Sequence, residues 1–117
     1  MKISVIKELL KAEVVCGEED LEREVYSACG SDMMSDVLAY VKDQGVLLTG
    51  LVNSQVIRTA EMMDMVCVVF VRNKRPTEEM VELAREMGIV VLSSPKRMYE
   101  ACGKLYMNGL NGKEASV

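Results

Sequence analysis

Five basic side chains, Arg72, Lys74, Arg75, Lys96 and Arg97, crowd into two short segments of a chain whose net charge is −4. They are five of its 14 Lys and Arg residues. Other short segments hold small polar groups instead: Ser31 with Asp32, Thr49 with Gly50, Asn53 with Gln55, and Ser94. Cationic groups beside hydroxyl, amide and backbone donors are what a site for phosphate or carboxylate requires. The alternative is that these are ordinary solvated loop charges. The choice depends on whether the fold brings the segments together.

Other chemistries lack their residues. With no histidine in the chain, Ser–His and Cys–His nucleophiles and the commonest metal ligand are missing. There is no G-x-x-x-x-G-K-[ST] loop, no G-x-G-x-x-G turn and no C-x-x-C pair. Asp32 and Asp36 stand at i and i+4, where a helix could offer both carboxylates to a cation. Asp32 is better read as favouring a helix N-terminus, and Asp36 as a solvated side chain. Cys16, Cys29, Cys67 and Cys102 are widely spaced in apolar surroundings and read as reduced thiols packed as small hydrophobes. No enzyme activity, cofactor or metal is expected.

The elements that must position the polar segments follow from periodicity. Ser31 is read as capping a helix with Met34, Val37, Leu38 and Val41 on one face, ended by Gly45. VLLTG (46–50) reads as a buried strand, and Asn53 or Ser54 caps a helix with Val56, Ile57, Ala60 and Met63 inward. MVCVVFV (65–71) is continuous and β-branched, as in a strand covered on both faces. Pro76 opens a helix with Glu78 and Glu79 at its positive end, Met80, Val81, Ala84 and Met87 inward, and Gly88 as its stop. IVVLS (89–93) is a further strand, and Ser94 and Pro95 open a last helix with Met98, Cys102, Leu105 and Tyr106 inward. That places Lys96 and Arg97 in a helix's first turn, where the dipole disfavours a cation. Upstream, the pattern predicts a helix over 5–11 capped by Ser4, a strand over 13–16, a solvated acidic loop GEEDLERE, and a strand over 24–29.

Strands alternating with helices predict an α/β fold, a three-layer α/β/α arrangement with a largely parallel sheet built from repeated βα units. In such a sheet ligands bind beyond the carboxyl ends of the strands. The loops at those ends are 28–32, 49–55, 72–77 and 93–97, which contain every polar and basic residue named at the outset. With 50% apolar and 27% charged side chains, the 117 residues suit one globular domain over 1–107 followed by a flexible tail over 108–117. No apolar run approaches the roughly 20 residues that span a bilayer. Lys7, Glu8 and Lys11 interrupt the N-terminal apolar stretch, so no export signal is expected and a cytoplasmic setting follows. The acidic balance argues against general nucleic-acid binding.

Three segments, SACGSDMMSDVL (27–38), LLTGLVNSQVIRTAEMMD (47–64) and REMGIVVLSS (85–94), resemble the DRTGG-domain family in order and spacing. The similarity runs from about residue 1 to residue 107. Its most specific parts are Ser31-Asp32-x-x-Ser35-Asp36 and Asn53-x-Gln55-x-x-Arg58-x-Ala60. No contiguous Asp-Arg-Thr-Gly-Gly occurs, and Thr49-Gly50 is the nearest fragment. The resemblance implies an α/β fold like the N-terminal domain of HPr kinase, without that enzyme's catalytic domain. It also implies a regulatory or subunit-contact module, of the kind fused to CBS domains in regulated pyrophosphatases and found in some phosphotransacetylases. The expected function is therefore a non-catalytic regulatory module that binds a small anionic ligand, such as a nucleotide or phosphorylated metabolite, at the strand ends. The alternative is a protein-interaction or homodimerisation domain with no small ligand. A two-fold homodimer is expected, because edge strands and Met-rich helix faces need covering.

Overall fold

The computed structural model describes residues 1–39 and 44–111. In chain order its elements are α1 (Ile3–Leu10), β1 (Glu13–Cys16), a single 3₁₀ turn (Glu18–Asp20), β2 (Ser27–Gly30), α2 (Met34–Leu38), β3 (Gly45–Thr49), α3 (Ser54–Met62), β4 (Cys67–Phe70), α4 (Glu78–Met87), β5 (Val90–Ser93) and α5 (Met98–Met107). The strands form one five-stranded sheet in the order β1-β5-β4-β3-β2. β2 to β5 run parallel, and β1 closes the far edge antiparallel to β5. This is the largely parallel α/β sheet that the alternating pattern predicts.

Strand alternation divides the core in two. Val46, Leu48, Cys67, Val69, Val90 and Leu92 pack with Ile3, Ile6 and Leu10 of α1 and Ala101 and Leu105 of α5. Their neighbours Leu47, Val68, Phe70 and Val91 point the other way, against Met34 and Val37 of α2, Val56, Ile57 and Ala60 of α3, and Met80 and Ala84 of α4. Helices therefore cover both faces, which is why the central strands carry no polar side. Each fully buried Leu, Ile, Val or Phe contributes about 1.5–3 kcal/mol through removal from water.

Local signals set several helix ends. The Asn53 side chain accepts from the Gln55 N–H at 2.8 Å, and Thr77 Oγ1 accepts from the Met80 N–H at 3.2 Å. Pro76 thus stands one residue before the cap of α4, and Gly88, at φ 68°, ends that helix as expected.

Elsewhere the boundaries move. Lys2, not Ser4, precedes α1 and makes no side-chain cap; Ile3 must already be helical to lie in the core. Ser31 does not cap α2: its Oγ accepts from the Met33 N–H at 3.0 Å, forming a separate turn, and Met33 occupies the cap position. Val41 lies outside the described residues, and Gly45 begins β3. The second upstream strand is Ser27–Gly30, while Glu24 forms only an isolated bridge with Lys2. On α5 the inward face is Ala101 and Leu105, with Cys102 half-buried and Tyr106 exposed. Leu110 is buried in the α1–α5 core and donates its N–H to the Leu105 carbonyl, so packing continues past residue 107; residues 112–117 lie outside the described ones.

None of the four cysteines is in a disulfide. Burial pushes the Cys67 thiol far above its ordinary range, and raises Cys16 and Cys102 by the same cause. Cys67 should therefore react with a thiol reagent only after denaturation. The linked expectation is a loss of stability as pH rises above about 8.5, where the unfolded chain's thiol ionises and the buried one does not. Native-state labelling of Cys67 at the rate of a free thiol would contradict the closed core.

Candidate functional site

The direction of the connections decides where the sheet can open. β4 leads to α4 on one face, and β5 leads to α5 on the opposite face. Adjacent parallel strands whose next helices lie on opposite faces leave a crevice at their carboxyl ends. The two basic segments flank this point, and the backbone joins them. The Arg72 N–H donates to the Lys96 carbonyl and the Asn73 N–H to the Ser94 carbonyl, each at 2.8 Å. Ser93 Oγ donates to the Lys74 carbonyl at 2.8 Å. The same bonds close the crevice, so an anion would lie on top of these loops rather than between the strands.

The chain leaves β4 through two consecutive left-handed residues, Arg72 (φ 57°) and Asn73 (φ 60°). Asparagine tolerates this conformation, whereas arginine pays roughly 1–2 kcal/mol for it. The three loop hydrogen bonds, at about 1 kcal/mol each, offset that strain. The turn carries the Arg72 guanidinium back over Gly50, at the end of β3. A Cβ on Gly50 would meet the guanidinium, the far end of a flexible exposed side chain, which would have to shift aside.

Asp32 organises the next pair of loops. Its Oδ1 accepts from the Gly50 N–H at 2.7 Å and from Thr49 Oγ1 at 3.1 Å, and Thr49 Oγ1 accepts from the Leu51 N–H at 3.1 Å. Asp32, Thr49, Gly50 and Arg72 thus come together. The carboxylate consumes donors that an anion would have used. Asp36 lies apart on α2, and among the described residues no three His, Cys, Asp or Glu side chains cluster as metal ligands.

Of the remaining expected residues, several have structural duties. Ser94 is buried; its Oγ donates to the Leu10 carbonyl at 2.6 Å and accepts from the Lys96 N–H at 3.1 Å. That turn holds Lys96 outside the helix. α5 starts at Met98 with Arg97 as its cap residue, which corrects the placement of both cations in a first helical turn. Lys96 pairs with Glu100 at 3.1 Å, and Arg75 turns away to Glu13 on β1. The Asn53 side-chain oxygen is committed to its cap, the Ser31 hydroxyl to its own turn, and Gln55 is exposed. Arg72, Lys74 and Arg97 are exposed, and among the described residues no carboxylate pairs with them. Asn73, within the expected loop 72–77, is the second left-handed residue of the turn, and an Asn directly after a buried strand is a signal for one.

The DRTGG domain model matches residues 5–106. Among solved structures, the fold matches the CBS and DRTGG domains of the regulatory region of Clostridium perfringens pyrophosphatase, complexed with the activator diadenosine tetraphosphate. The TM-score is 0.73 at 18% identity, and the match covers 89% of this chain and 45% of that one. The chain thus spans less than half the length of the structure it resembles, and the likeness is one of fold. No curated protein matches the sequence.

The Asp32 linkage can be tested directly. Asp32→Ala removes acceptors from Gly50 and Thr49 and should destabilise the protein by about 1–2 kcal/mol. Urea unfolding should show a lower midpoint with an unchanged slope. An unchanged midpoint would mean that the carboxylate does not hold these loops.

Proposed function

Because the chain belongs to the DRTGG-domain family, we propose that it is a non-catalytic regulatory module that takes a small anionic ligand over the carboxyl ends of β3, β4 and β5. The observation that carries this reading is the Arg72 guanidinium held over Gly50, with Lys74 and Arg97 exposed beside the same switch point and unpaired among the described residues. Arg72 is exposed, so its guanidinium is available to a ligand. The ligand class is a nucleotide or phosphorylated metabolite, bound by charge-assisted hydrogen bonds. The nucleotide activator bound to the pyrophosphatase regulatory region points to the same class. Gln55 and the side-chain amide N–H of Asn53, at the start of α3, would read the neutral part of such a ligand. No disulfide joins the cysteines, which fits a reducing compartment, so the proposed setting is the cytoplasm.

A second reading, self-association as a homodimer, is favoured by Tyr99, Tyr106 and Met107, which stand exposed along α5. The two readings do not exclude each other.

Thermal unfolding against AMP, ADP, ATP, diadenosine tetraphosphate and inorganic phosphate tests the first. A ligand at a hundred times its Kd should stabilise the protein by about 2.7 kcal/mol, and the gain should shrink as salt rises. Arg72→Gln combined with Arg97→Gln should abolish the shift and leave the unliganded melting curve in place. No shift from any of these compounds at millimolar concentration would sink the ligand reading.

A further inference from the structure

Asp32 carries the wrong sign for a site that takes only an anion. Its Oδ1 is held by the Gly50 N–H at 2.7 Å and by Thr49 Oγ1 at 3.1 Å, at the same glycine over which the Arg72 guanidinium lies. A carboxylate at this place repels phosphate and occupies donors that a bare anion would use. Carboxylate and guanidinium flank one glycine without pairing, and among the described residues no cation forms an ion pair with Asp32. Asp32 is exposed, and its Oδ2 accepts no hydrogen bond among the described residues. A carboxylate accepts hydrogen bonds and donates none. The strand ends thus present a guanidinium suited to an anion beside a fixed acceptor suited to hydroxyl donors.

Two exposed apolar side chains belong to the same loops. Met33 follows Asp32, and Val52 stands two residues past Gly50. The bond between Asp32 and Gly50 ties together the loops that carry them. An inorganic anion has no use for apolar surface, whereas the flat face of a base does.

We infer that the ligand is a phosphate ester bearing a vicinal diol, a ribonucleotide, with Asp32 Oδ2 accepting from the diol and Arg72 holding the phosphate. The inference rests on the anionic-ligand reading of this site and names its substrate class. A ribonucleotide carries phosphate and diol on one five-membered ring, so a single small molecule answers both charges. Hydroxyl-to-carboxylate hydrogen bonds are charge-assisted, and an acidic side chain reads ribose hydroxyls in dinucleotide-binding folds for the same reason. A ligand without the diol leaves the carboxylate facing its phosphate with nothing to satisfy it. The residue that attracts a ribonucleotide therefore rejects inorganic phosphate. Asp32 serves both duties at once, because the loops use Oδ1 and leave Oδ2 to the ligand.

Thermal unfolding in graded concentrations of the four ribonucleoside monophosphates, their 2′-deoxy forms, ribose 5-phosphate and inorganic phosphate tests this. At least one ribonucleotide should stabilise the protein at a concentration about tenfold below its 2′-deoxy form and below phosphate. Asp32→Asn keeps an oxygen for Gly50 and Thr49, and should bring ribonucleotide and 2′-deoxy form to the same concentration. A 2′-deoxy form or inorganic phosphate as effective as the ribonucleotide in the wild type overturns the diol reading and leaves the anion site standing. A preference that persists in Asp32→Asn overturns the role of Asp32. No shift from any compound overturns both readings. Ribose 5-phosphate weaker than the nucleotides supports a ribonucleotide; equal to them, and stronger than phosphate, it supports the diol role with a sugar phosphate as the source. The wild-type series decides the diol reading even where the variant folds poorly.

Discussion

The strands at the centre of the sheet have no polar face. Every residue from Val46 to Thr49 and from Cys67 to Phe70 is buried. Their backbone groups cannot turn to water, so each N–H and C=O must be met by a neighbouring strand, and both sets of side chains must be met by helices. The parallel ladder, the two helical layers and the short connections all answer that one requirement. Polar residues are expelled to the strand ends, and the loops there collect the groups available for recognition.

That edge is tied together by groups far apart in the chain. The buried Ser94 hydroxyl fixes the end of α1 through the Leu10 carbonyl and shapes the turn that delivers Lys96. The backbone of the 94–96 segment in turn holds the left-handed Arg72–Asn73 turn. Acidic side chains gather elsewhere in the sequence, with Glu78, Glu79, Glu82 and Glu86 on α4 and Glu18, Glu19 and Asp20 in the 3₁₀ turn.

Helix coverage of the sheet is uneven. Three helices, α2, α3 and α4, share one face, while α1 and α5 alone cover the other. Beside α5 the cover thins over β2, leaving a groove of about 230 Å³ bordered by Ala28, Gly30, Leu48, Leu105 and Leu110. Cys102 reaches into the space that a side chain on Gly30 would fill. α5 thus borders the basic loops at its start and the thinly covered edge along its length.

Much of the fold was legible because its causes are local. Continuous β-branched runs such as 65–71, helical spacing such as Val56-Ile57-Ala60, the Asn53 cap and the Gly88 stop act over one or two turns of chain, where sterics and solvent exclusion depend on the sequence itself. Loops at the carboxyl ends of the strands were legible on the same grounds, and with them the region of the candidate site. The duties of individual residues were not. Ser4 and Ser31 look like caps but do not act as caps, because the packing of Ile3 and the turn before α2 override local preference. Asp32 grips a loop 18 residues away, and Ser94 bonds a carbonyl 84 residues away. The Arg72 guanidinium finds its place over Gly50 only because β3 and β4 are neighbours. Periodicity and capping preferences decide what each segment becomes. Which groups meet is decided by strand order and by the face each helix takes, and those are set by the whole core at once.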